Sequence, residues 1–369
     1  MNLKTALAAS VSVAALAGST VSSFAAADLD ALYKAAQGEA QLTVIALPHD
    51  WCGYGAVIDA FKKKYPGITV NELNPDAGSG DEIQAIKANQ GNTGPQAPDV
   101  IDVGLSFGPS SVADKLLQPY KVSTWDSIPD SAKDKDGYWY GDYYGVLAFI
   151  VNDDLVKTAP KSWADLKKAD YANQVALSGD PRVANQAIQS VYAAGLANGG
   201  TAGADAATKG VAFFGDLNKS GNFVPVIGKA ASVAQGTTPI VIGWDYNDLA
   251  WKDGFKGNPK AEVIVPSDGA VAGVYIQGIS AYAPHPNAAK LWEEYLYSDE
   301  GQIGWLAGYC HPIRFNDLAA KKAIPADLLA KLPDPALYAK AVFPSLDDQS
   351  AAKDVVSKTW DSVVGANVQ

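Results

Sequence analysis

Residues 41–54 read QLTVIALPHDWCGY. Leu42 to Leu47 is a short apolar run with β-branched residues at its centre, which predicts a buried strand. Pro48 closes it. His49, Asp50, Trp51, Cys52, Gly53 and Tyr54 then place polar and aromatic groups where the strand ends. Ile58 to Tyr65 has helical spacing and stops at Pro66-Gly67. In open α/β sheets the loops at the carboxyl ends of strands are where ligands sit. The loop carrying Trp51 and Tyr54 is therefore a first candidate site. The competing reading makes both rings caps on a core edge, and this stretch alone does not separate the two.

The same alternation repeats outward. Leu29 to Gln37 predicts a helix before the first strand, and Ile68 to Leu73 a second strand. Ala77-Gly78-Ser79-Gly80 then opens a helix expected over Asp81 to Gln90; such a turn can offer N–H groups to an anion, but is more often an N-cap. Asp99 to Gly104 is a third strand, emptying into Leu105-Ser106-Phe107. Tyr138 to Val151 is dense in aromatic and apolar residues and reads as strands. Further strands are expected at Val175 to Leu177, Thr238 to Gly243, Glu262 to Val265 and Ala272 to Ala283. Helices are expected at Trp163 to Lys168, Asn185 to Leu196 and Asn287 to Leu296, and from Ser298 to Gly308 behind an N-cap and first-turn acids. Strands alternating with helices make the class α/β.

Met1 to Ala27 reads as a cleaved signal peptide. Lys4 precedes a small apolar run, and Ser23-Phe24-Ala25 or Ala25-Ala26-Ala27 offers the peptidase its small-x-small site. That run is too short for an anchor, so a soluble periplasmic product is expected. The remainder exceeds one comfortable core, which predicts two lobes. A formal charge of −11 argues against nucleic acid and anionic membranes, both of which recruit basic patches. Cys52 and Cys310 are the two cysteines. In an exported chain an even pair reads as one disulfide, provided geometry permits. No CxxC spacing points to a redox pair, and His49, His285 and His311 lack metal-ligand spacing. No G-x-S-x-G, HExxH or phosphate loop appears, and Asp153-Asp154 looks like turn chemistry. A secreted hydrolase is the remote rival to a binding role.

PKSWADL at 160–166 and HPNAAKLWEEYLYSDEGQ at 285–302 carry a resemblance to the periplasmic solute-binding proteins of ABC importers. The group resembled includes polyamine binders and relatives for ferric ion and phosphonates. The resemblance implies a two-lobed, type II α/β fold with the ligand in the cleft between lobes. It places lobe 1 at residues 28–147 plus 275–318 and lobe 2 at 148–274 plus 319–369. It also implies a monomer that hands a small solute to an inner-membrane ABC permease, with no cofactor and no metal.

Residue by residue, Trp51-Cys52-Gly53-Tyr54 is similar to the polyamine binders' aromatic-hydroxyl-x-aromatic loop, with Cys52 in the hydroxyl's place. Ser106 falls in the loop after the third strand, Asp180 matches an interlobe acid, Trp244 a cleft tryptophan, and Gly308-Tyr309 a late Gly-Tyr pair. Two expected acids are missing: Tyr275-Ile276-Gln277 stands where Trp-x-Asp is usual, and Val183 replaces the other. The same correspondence brings Cys52 and Cys310 into one lobe near the cleft, which favours their pairing. The implied site is an aromatic box of Trp51, Tyr54, Trp244, Tyr275 and Tyr309 around an ammonium. Ser106 and Gln277 are further candidates, and Asp180 or Asp245 supplies a charge-assisted hydrogen bond. Arg182 either clamps an anion or forms a structural salt bridge. The ligand expected is a small polar amine-bearing solute, polyamine-like or zwitterionic, and the set suits a zwitterion, an amino acid or aminophosphonate, better than spermidine; a phosphonate, phosphorylated or sugar-like ligand is the alternative. Ferric binding is not expected, because Tyr143-Tyr144 lies in the crossing segment rather than in a cleft loop.

Overall fold

A computed structural model describes residues 28–332 and 341–369; the expected leader lies outside the described residues. The strands are β1 (Gln41–Ile45), β2 (Thr69–Leu73), β3 (Val100–Gly104), β4 (Leu117–Gln118), β5 (Tyr140–Asn152), β6 (Val175–Leu177), β7 (Ile240–Trp244), β8 (Ala261–Ile264), β9 (Ala272–Ser280) and β10 (His311–Pro312).

The stretch expected to hold several strands is one long strand, β5, almost wholly buried. Residues 140–146 pair antiparallel with β9; the other edge of β9 takes β3, while β4 pairs with the end of β9 on the edge opposite β3. Residues 147–152 pair antiparallel with β7, which continues in parallel to β6, and also with β8. One strand thus feeds two sheets and joins two lobes, and a strand buried on both faces explains the near-continuous apolar run FIV within YGDYYGVLAFIVN. The parallel pair β1–β2 is a separate two-stranded sheet tied to the residue before β3: the Asp99 N–H donates to the Thr43 carbonyl at 2.8 Å, and its carboxylate accepts from Thr43 N–H at 2.6 Å.

Helices flank both sheets. Leu29–Glu39 packs on Pro286–Leu296 in the first lobe. Asn185–Ala197, Gly203–Ser220 and Leu346–Val363 stack in the second. The first two of these come unusually close, because a Cβ on Gly195 would meet the Ala206 carbonyl and one on Gly210 the Val191 carbonyl. The sequence reading marked neither Gly203–Ser220 nor Leu346–Val363. The helix expected from Asp81 begins at Ser79, where the Gly78 N–H is held by the Asp81 carboxylate at 2.9 Å. The segment at Trp163 to Lys168 is a 3-10 turn, Ala164–Lys167, rather than an α-helix.

Cys52 and Cys310 form the disulfide, with Cα atoms 5.3 Å apart across 258 residues of sequence. It ties the loop after β1 to the end of the Asp299–Ala307 helix, and both residues are buried.

Candidate functional site

A cavity of about 710 Å³ opens between the lobes. One wall is Pro48, Asp50 and Trp51 after β1, residues 75–79, Asp81, Glu82 and Asp102. The other is residues 178–180 and 182–186 after β6, Ile227 to Lys229, Asn247, Trp251 and residues 367–369, with Tyr275 beside them. Hydrogen bonds and an ion pair run from wall to wall. Gly80 N–H donates to the Val183 carbonyl at 3.2 Å, Trp251 Nε1–H to the Asp50 carboxylate at 3.2 Å, and Lys229 pairs with Asp76 at 2.6 Å.

Among the residues singled out from sequence, Trp51, Asp180, Arg182 and Tyr275 line this cavity. Trp51 Nε1–H donates to the Tyr143 hydroxyl at 2.6 Å, and its ring meets those of Tyr246 and Tyr275 edge-on. Arg182 is fully engaged within the chain. Its Nε donates to both Asp180 oxygens at 2.8 and 3.0 Å, and Nη2 to Asn367 Oδ1 and the Val368 carbonyl at 2.8 and 3.2 Å. Nη1 lies 3.5 Å from Asp361. That geometry is the structural salt bridge rather than an open clamp.

The other candidates are not on the cavity wall. Tyr54 is buried behind it and donates to Asp102 Oδ2 at 2.6 Å. Gln277 donates to the Tyr54 hydroxyl and to Asp142 at 3.0 and 2.7 Å. Trp244 ends β7 fully buried; a Cβ on Gly273 would meet its ring, and its Nε1–H reaches the Tyr275 hydroxyl. Asp245 is buried and accepts from Val146 N–H at 2.9 Å. Ser106 is buried in a 3-10 turn whose carbonyl takes Lys353 Nζ at 3.0 Å. Tyr309 stands beside Asp253. The five rings therefore do not close into a box. Tyr143 and Tyr275 stack at 5.4 Å and 11°, so ring faces meet one another instead. Tyr143 and Tyr144 also diverge, as neighbours on a strand must: Tyr144 stacks on His311.

What the sequence reading passed over sits at the cavity floor. Asp102, in the middle of β3, is 5% exposed; its Oδ2 accepts from Tyr54 and Tyr143 at 2.6 and 2.7 Å, while Oδ1 has no hydrogen-bond partner. Its N–H donates to Glu82 at 2.9 Å. Burial pushes the Asp102 carboxyl up to about 7, against the pull of the two tyrosine hydroxyls. Burial, and then the Asp102 charge, raise Glu82 and Asp142 well above the ordinary carboxylate range. Two residues along, Gly104 N–H donates to Ser79 Oγ at 3.2 Å. A Cβ on Gly104 would fall on the amide of Asn185, so glycine is what lets the second lobe approach there. Asn185 opens the Asn185–Ala197 helix, whose first turn has no side-chain cap and no acid. Its amide, 2% exposed, lies beside the Tyr275 hydroxyl with neither atom in a geometric hydrogen bond. Two helix starts, at Ser79 and Asn185, thus converge on Gly104: the first already has Asp81 on its Gly78 N–H and Val183 on its Gly80 N–H, so the partial positive charge of a helix start is open at Asn185. Around them the wall is acid-rich, with Asp50, Asp76, Asp81, Glu82, Asp102 and Asp180 against Arg182 and Lys229. Such a floor can take an anion at one end and an amine at the other.

Comparison with known proteins agrees with this architecture. Residues 96–335 match the family described as bacterial extracellular solute-binding protein. A protein of Salmonella typhimurium (strain LT2) named "Putative 2-aminoethylphosphonate-binding periplasmic protein" is 28% identical over 261 residues, covering 68% of this chain and 70% of its own. Among solved structures, the periplasmic binding protein AfuA of Actinobacillus pleuropneumoniae, with fructose-6-phosphate bound, has a TM-score of 0.68 at 22% identity, covering 88% of this chain and 98% of its own. AgtB of A. tumefaciens R10, in complex with agropinic acid, has a TM-score of 0.69 at 17% identity, covering 88% and 99%. With its two lobes joined by β5 and a cavity between them, the chain belongs to the bacterial extracellular solute-binding proteins.

Proposed function

We propose that this chain is the receptor of an ABC importer, that it captures a small zwitterion joining an amine to a compact anion, and that it performs no catalysis. The observation that carries this reading is the cavity floor. The helix start at Asn185, uncapped by any side chain and without an acid in its first turn, lies beside a wall in which acids outnumber bases. A polyamine would leave that helix start unused, and a sugar phosphate would leave the acids facing neutral hydroxyls. The Salmonella relative, whose name specifies an aminophosphonate, supports the same class.

The leader at residues 1–27 is removed on export, and the product acts as a monomer that docks on an inner-membrane permease. No helix among the described residues is long and apolar enough to cross a membrane, in keeping with that role. The lobes divide within β5 at about residue 147 and again near 275 and 318. Closure of the two around ligand follows from contacts that each makes only when the walls meet.

A thermal-shift panel tests the ligand class, since a ligand that binds only the folded state raises Tm by mass action. At 1 mM, 2-aminoethylphosphonate is expected to raise Tm by several degrees, with putrescine and fructose-6-phosphate each giving less than one degree. A shift with putrescine or the sugar phosphate, and none with the zwitterion, would overturn the reading.

A further inference from the structure

Resting on the zwitterion reading above, we propose that Asp102 receives the ligand's ammonium through N–H···O hydrogen bonds, so that the cleft takes primary amines and refuses quaternary ones. Asp102 lines the cavity yet is nine-tenths buried, with one oxygen held by two tyrosine hydroxyls and the other without a partner. A buried carboxylate oxygen left unpaired is destabilising, and a donor entering from the cavity relieves it. The partnering tyrosines fix the carboxylate's orientation before any ligand arrives.

The rings do not compete for the cation. Tyr143 and Tyr275 cover each other's faces, and Trp51 is in T-shaped contact with Tyr246 and Tyr275 while its Nε1–H is held by the Tyr143 hydroxyl. A cage for a quaternary ammonium needs open ring faces, and a carboxylate that must be given an N–H cannot be satisfied by a methylated nitrogen. Asp102 and Gly104 stand two residues apart on β3, about 6.6 Å, and the Asn185 amide abuts Gly104, so an ammonium on Asp102 lies within reach of a short zwitterion whose anion meets the uncapped helix start at Asn185.

Isothermal titration with three probes decides the matter: 2-aminoethylphosphonate, its N,N,N-trimethyl analogue and ethylphosphonate. Wild-type protein is expected to bind the primary amine about 10- to 100-fold more tightly than either other probe. In Asp102→Asn, whose amide oxygen still accepts from Tyr54 and Tyr143, that preference is expected to fall to within about threefold while ethylphosphonate affinity is kept or improved. The trimethyl comparison uses the unaltered protein, so it stands even if the variant fails to fold. Equal affinity of wild type for the primary and trimethylated probes would overturn the assignment. So would an Asp102→Asn protein that keeps the full preference for the amine. Absence of any heat with 2-aminoethylphosphonate would instead remove the zwitterion reading, and this assignment with it.

Discussion

Replacing Cys52 and Cys310 together by alanine is expected to lower the stability of the protein by about 2–5 kcal/mol, or roughly 3–7 °C in Tm. The bridge closes 258 residues of chain and so removes a large loop entropy from the unfolded state. Alanine suits the test because both sulfurs are buried among apolar groups, whereas serine would add an unpaired hydroxyl there. The loss should reach function too. Asp50 and Trp51 precede Cys52 directly and line the cavity, and Cys52 itself holds a left-handed backbone with φ of 48°. Ligand affinity is expected to fall along with Tm, and a thiol reductant should reproduce both effects in the wild-type protein. Calorimetry on the two proteins checks this; a Tm within one degree of wild type would show that the bridge is dispensable.

Raising the pH from 5 to 8 is expected to destabilise the ligand-free protein, the reverse of what salt-bridged carboxylates give. Asp102 lies in a buried acid cluster. Tyr54 faces it from the Tyr54–Lys64 helix, Tyr143 and Asp142 from β5, Gln277 from β9 and Glu82 from the Ser79–Ala88 helix, and its charge in turn raises Glu293 of the Pro286–Leu296 helix. Among the described residues, no ion pair reaches Asp102, Glu82, Asp142 or Glu293. Burial raises all four in the folded state. A raised carboxyl means that the native chain holds protons the unfolded chain has lost. Its stabilisation is complete below the unfolded value near 4 and is lost as pH climbs through the folded value, about 7 for Asp102. The loss attached to Asp102 is of order a few kcal/mol. Urea midpoints at pH 5, 6.5 and 8 measure it: the wild-type midpoint should fall with pH and that of Asp102→Asn should fall less. A midpoint that rises across this range would contradict the buried cluster.

The strands and their loops were legible because apolar runs of five or six residues, broken by proline, glycine and polar groups, leave little else to be. Trp51 and Asp180 reached the cleft for the reason that made them candidates: each follows a strand's carboxyl end. Trp244 follows the same rule and fails it. It is the last residue of β7 rather than the first of its loop, and Gly273 leaves a space that draws the indole inward. The lesson of Asp102 runs the other way. An acid inside VIDVG was read only as part of an apolar strand, although a carboxylate in a buried run signals a hydrogen-bonded or functional charge. Ser79 and Asn185 acquire meaning only from the meeting of the lobes at Gly104, a contact between residues some eighty positions apart that no local pattern records. Helix Gly203–Ser220 escaped notice because alanine and glycine fill much of its buried face.

The most direct measurement is a crystal structure of the protein grown with 2-aminoethylphosphonate. The expected result is the phosphonate at the N-terminus of the Asn185–Ala197 helix, with the ammonium within hydrogen-bond distance of Asp102. Ligand seated outside the interlobe cavity, or reversed so that its amine faces Asn185 and its phosphonate Asp102, would contradict it.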